Sequence, residues 1–119
     1  MVRIILATIM LLTLNSAMAQ SINEKKSELY AQRFAEKFGM SKKTQQEFYE
    51  VKLESMNVNS DFAKRNKGGE FDSDDAYKTA KKEALAPLND KMIEIAGIKA
   101  NQFWSYNKEI MPEINAVKK

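Results

Sequence analysis

YAQRFAEKFGMSKKTQQEFYEVKLESMNVNSDF, residues 30–62, holds two helices and the turn between them. Tyr30, Phe34 and Phe38 recur every four residues beside Ala31 and Ala35, which puts them on one helix face, with Lys26, Arg33 and Lys37 on the others. Gly39 follows the last aromatic, where a helix end favours a residue able to take a left-handed backbone. Met40 and Ser41 restart the pattern at once, with the serine hydroxyl as N-cap, so the turn is very tight. From Thr44 the series Phe48, Val51, Ser55, Val58, Phe62 steps alternately by four and three residues, the seam of a helix that packs along its length, widened by Tyr49, Leu53 and Met56. Asn57, Asn59 and Ser60 are weak helix formers, so this helix is expected to fray or break before Phe62.

On the N-terminal side, the first helix is expected to start near Ser21, whose spacing to Glu24 fits a capping box. On the C-terminal side, residues 66–75 form a long loop with Gly68 and Gly69 followed by Glu70, Asp72, Ser73, Asp74 and Asp75. These acids lack the alternate liganding positions, central glycine and distal glutamate of an EF-hand calcium loop. N-capping by Asp72 or Ser73, with acids opposing the helix dipole, is the simpler reading. A third helix runs from about Asp74 towards Ala96 with Tyr77, Ala80, Ala84, Leu88, Met92 and Ile95 inward, and Pro87 is expected to kink or briefly break it. Gly97 stops it. A fourth starts by Lys99 or Ala100 with Phe103, Tyr106, Ile110, Ile114 and Val117 on one face, Trp104 and Met111 beside them, and Pro112 bending or ending it early. No segment sustains period-two alternation, so the expected fold is all-α: about four helices in a thin, elongated hairpin layer.

Residues 1–19 read as a signal peptide: Arg3 gives a short positive start, residues 4–14 an apolar run, and Ala17-Met18-Ala19 the small-x-small pattern of a cleavage site. The run is too short for a bilayer core, which needs about 20 helical residues. Cleavage after Ala19 would leave residues 20–119 as a single soluble domain, periplasmic or secreted, with no stable membrane insertion. That domain loses Arg3 from 19 basic residues and nothing from 16 acidic ones, leaving a net charge of +2, too balanced to call for a nucleic-acid partner. Cysteine and histidine are both absent. Disulfides, the common zinc sites, Cys-His or Ser-His nucleophiles and imidazole chemistry near neutral pH are therefore excluded, and no cofactor is expected.

Residues 39–44 and 97–102 repeat one kind of junction: a glycine stop, an apolar residue, a new cap, then an aromatic-bearing helix, with Phe48-Tyr49 after the first and Phe103-Trp104 after the second. This divides the chain into two helix-turn-helix halves. At these junctions it resembles the Spy and CpxP family of periplasmic proteins, whose repeated signature is Leu-Thr-x-x-Gln at the start of a helix. The matching stretches are Met40-Ser41-Lys42-Lys43-Thr44 and Ile98-Lys99-Ala100-Asn101-Gln102. The first has Thr44 in the glutamine place with Gln45 one step later, and the second keeps Gln102 but has lysine where the threonine cap belongs. The resemblance implies a curved all-α homodimer that holds unfolded envelope proteins without ATP or restrains an envelope stress sensor. Client-binding candidates are Met40, Phe48, Met56, Phe62, Met92 and Met111, with Lys42, Lys43, Lys52, Lys81 and Lys82 for electrostatic capture. For each apolar candidate the competing reading is ordinary core or dimer interface.

Two non-enzymatic readings follow: an exported client-binding protein of the envelope stress kind, or an adaptor docking to one fixed envelope partner through its helix faces. Glu47, Glu50 and Glu54 lie at helical spacing, but a solvated flank shared with Lys43 and Lys52 explains them without general acid–base chemistry, which needs a concave site that shifts their pKa values. No catalytic residue is expected.

Overall fold

A computed structural model describes residues 22–118, which form four helices: α1 (Ile22–Phe38), α2 (Lys42–Lys67), α3 (Asp74–Ala96) and α4 (Ala100–Asn115). Among the described residues there is no strand, and the fold is all-α. The expected signal peptide and the capping residue Ser21 lie outside the described residues.

The helix starts follow local chemistry. Ser41 Oγ accepts the Thr44 backbone N–H at 3.1 Å, and Ser73 Oγ accepts that of Ala76 at 3.0 Å, each satisfying a donor the helix leaves unpaired. At α4 the Gln102 side chain accepts the Lys99 backbone N–H at 2.9 Å, while the Lys99 ammonium, a donor only, cannot return the bond. Both glycine turns are built alike. Gly39 and Gly97 take φ of 69° and 66°, and the next residue's N–H reaches back one turn, Met40 to the Ala35 carbonyl at 3.1 Å and Ile98 to that of Ile93 at 3.4 Å. A Cβ at Gly97 would meet nothing within 4 Å, so Gly97→Ala is expected to lose about 1 kcal/mol from backbone strain alone, readable as a lower urea midpoint.

Three expectations about helix length are corrected. α2 runs unbroken through Asn57, Asn59 and Ser60 to Lys67, and the loop shrinks to residues 68–73. Its weak formers are held from outside: Asn23 of α1 donates to the Met56 carbonyl, Asn57 Oδ1 and Ser60 Oγ at 3.4, 3.1 and 3.0 Å. α3 continues without a break through Pro87, and α4 runs on past Pro112 to Asn115. Both proline residues are solvent-exposed, where water can serve the carbonyl each one orphans.

α1 and α3 flank α2 on either side as antiparallel neighbours, and α4 lies across α1 with lighter contact to α3. The two halves therefore share a turn but not a packing: α2 folds back on α1, whereas α4 leaves α3 to cover α1. Buried Tyr30, Ala31 and Phe34 of α1, Phe48 and Val51 of α2, Met92 of α3, and Phe103, Ile110 and Ile114 of α4 make one core. Arg33 clamps α4 with a two-pronged pair, Nε to Glu113 Oε1 at 2.9 Å and Nη2 to Oε2 at 2.8 Å, and the Tyr30 hydroxyl donates to Asn107 Oδ1 at 2.6 Å.

Away from that core the molecule thins to two helices. No residue from Met56 to Lys91 is fully buried. The end of this α2–α3 hairpin is held by a small aromatic stack, Phe62 on Phe71 at 5.8 Å and Phe71 near Tyr77 at 5.5 Å, with the Arg65 guanidinium 4.7 Å from the Phe62 ring centre and paired to Glu70.

Candidate functional site

The expected binding residues do not form one surface. Phe48 and Met92 are fully buried in the core, and Met40 and Met111 pack against it, half-buried. Met56 is half-buried on α2, and Phe62 belongs to the stack at the hairpin end. Lys42, Lys43 and Lys82 are exposed. Lys81 lies with its ammonium 4.9 Å from the Tyr77 ring centre. A ring of lysine side chains around mobile methionine residues is not what the helices assemble.

Lys52 is the clearest departure. Its ammonium sits 3.9 Å from the centre of the Tyr30 ring, inside the angle between α1 and α2, and it has no carboxylate partner among the described residues. Burial draws its pKa down to about 8 and pushes the Tyr30 phenol far above its ordinary range. The ring face takes the place of a counter-ion. Three residues before Tyr30 on α1, the hydroxyl of fully buried Ser27 has no hydrogen-bond partner among the described residues.

Two open grooves flank α2. One, of about 430 Å³ between α1 and α2, is polar, lined by Glu28, Gln32, Lys42, Gln45, Gln46 and Tyr49. Burial, helped by the carboxylates of Glu24, Glu28 and Glu50, raises the Tyr49 phenol. The other, of about 650 Å³ between α2 and α3, has an apolar floor of half-buried Leu53, Val58, Phe62 and Ala84, with exposed Glu50, Glu54, Asn57 and Asp61 along its rim.

That acid-rimmed groove was missed in the sequence although its signal is there. Glu47, Glu50, Glu54 and Asp61 follow one another at intervals of three, four and seven residues, a single stripe along α2. The mixed-charge reading gives this stripe two cations, Lys43 and Lys52, and only Lys43, one turn before Glu47, lies on it. Lys52 lies on the far side of the helix against Tyr30, so Glu50, Glu54 and Asp61 stand without it. Their situation is an open rim rather than an enclosed cleft. Among the described residues no group of three or more acidic side chains is placed to hold a metal ion, and no helix is long and apolar enough to cross a membrane.

No protein-family model, curated protein or solved structure matches the chain.

Proposed function

We propose that this chain is an exported, non-catalytic protein-binding module that holds segments of other envelope proteins without ATP. The observation that supports it is the half-covered hairpin: from Met56 to Lys91 no side chain reaches full burial, yet Val58, Phe62, Phe71, Tyr77, Leu85 and Leu88 all lie there half-exposed. A free-standing domain ordinarily closes such a stretch against a further layer, and a binding protein leaves it for a partner. The resemblance at Gly39 and Gly97 points the same way, towards an envelope-stress protein working as a homodimer. The alternative, an adaptor for one fixed partner, draws on the patterned charge of the α2–α3 groove, which suits recognition better than indiscriminate capture.

The test is light scattering from a denatured, aggregating protein, with and without the chain purified after export, together with the mass of the purified species. Slowed aggregation without nucleotide is the expected result. Unchanged aggregation, with one stoichiometric envelope partner recovered by crosslinking, would replace client holding with the adaptor reading.

A further inference from the structure

We propose that the groove between α2 and α3 receives a cationic amphipathic helix of a partner protein, a specificity that rests on the reading of this chain as a protein-binding module. The floor is apolar, made by Leu53, Val58, Phe62 and Ala84, and the rim carries the carboxylates of Glu50, Glu54 and Asp61. These acids are available. Among the described residues Glu54 has no partner, Glu50 has only a 3.4 Å bond from Gln46, and Asp61 only a 3.7 Å contact with Arg65, whose closer partner is Glu70.

The occupant's chemistry follows from what the groove offers. An extended segment would lay unpaired backbone N–H and C=O groups on an apolar floor, whereas a helix brings them already bonded. From Glu50 to Asp61 the rim is about 16 Å long, three turns of a partner helix. Docking strips water from the carboxylates, which favours lysine or arginine side chains that lay their stems on the floor and their heads on the rim. The same acids repel nucleic acid and anionic membrane surfaces. The attraction is local, since residues 20–119 carry a net charge of +2, the 19 basic residues less Arg3 against 16 acidic ones, and would repel a cationic segment elsewhere.

A second copy of this chain fits less well. Its exposed Trp104 and Lys108 lie on α4, which packs across α1, whereas the acid stripe lies on α2. Docking of copies would run front to back, and such contacts do not close into a dimer.

The experiment uses the exported chain and three synthetic helix-forming peptides: leucine with lysine, leucine with glutamate, and serine with lysine at the same charge. Binding is followed by anisotropy and mapped by backbone amide shifts. The leucine–lysine peptide is expected to bind and to shift the amides of Leu53, Asn57, Val58 and Ala84, with each control at least about tenfold weaker. The double reversal Glu54→Lys and Asp61→Lys, both at exposed positions, is expected to weaken the leucine–lysine peptide by about tenfold or more while the circular-dichroism melt stays unchanged. Equal binding of the two leucine peptides, a footprint on the polar α1–α2 groove, insensitivity to the reversal, or self-association that protects the same amides would each overturn the proposal. If the peptide fails while the chain still slows aggregation, the groove assignment falls and the protein-binding reading stands; failure of both removes both.

Discussion

Phe34→Ala is expected to cost about 3–5 kcal/mol, a large share of the about 5–15 kcal/mol that a domain of this size has in total. Phe34 is fully buried and is the meeting point of the aromatic core. Its ring centre lies 4.8 Å from that of Tyr30, 5.0 Å from Phe48, 5.4 Å from Phe103 and 4.9 Å from Tyr106, so its loss loosens α1 from α2 and α4 together. Rigid rings on three helices cannot all close on the space left behind. Phe62→Ala is the internal control: the same atoms removed from a half-exposed position on the hairpin should cost only about 1–2 kcal/mol. Urea unfolding followed by circular dichroism separates the two. Similar midpoints would show that the core is not centred where the rings meet.

The second large effect is electrostatic. Lys52→Met is expected to raise stability at pH 7 by about 1–3 kcal/mol, because the ammonium is held over Tyr30 without a carboxylate while its stem already occupies an apolar path. The pH dependence gives the sign independently. With a folded pKa of about 8 against an unfolded value near 10.5, Lys52 is charged in both states below pH 8, and its burial cost is present in full there. Between pH 8 and 10 the folded state releases the proton while the unfolded state keeps it, so the wild-type chain should become more stable as pH rises. Above about pH 10 the trend reverses. Tyr30, Tyr49 and Tyr106 all ionise later when folded than when unfolded, and ionisation then favours the unfolded chain. Urea midpoints at pH 7, 8, 9 and 9.5 should climb for the wild type and stay flat for Lys52→Met. Parallel curves would place the ammonium in solvent.

What was legible in the sequence is what depends on near neighbours. The aromatic stripe from Tyr30 to Phe38, the Ser41 and Ser73 caps and the two glycine turns are set by residues within a turn of one another, and the helices follow them. Asn57 to Ser60 misled because helix propensities amount to a few tenths of a kcal/mol per residue, less than the hydrogen bonds that Asn23 brings from α1. Pro87 and Pro112 interrupt neither helix, because the cost of a proline depends on whether its orphaned carbonyl faces water, a tertiary fact. The direction of α4 is of the same kind: Gly97 stops α3 whichever way the chain then turns, and Arg33 with Glu113 holds α4 over α1. The candidate site was half visible, since the acids of α2 stood in plain register, and assigning Lys52 to their side together with Lys43 kept them from being read as one charged edge.

The clamp between the first and last helices also governs when folding can finish. Tyr30 and Phe34 are covered by Phe103 and Asn107, and Arg33 finds its partner at Glu113, some eighty positions later. A nascent chain that has reached only residue 100 has made every helix but the one that shuts the interior. Contacts of such sequence separation form late, because the loop between them must close first. The ordering leaves the N-terminal part loose and pliable until synthesis has nearly finished, and the tertiary lock engages last.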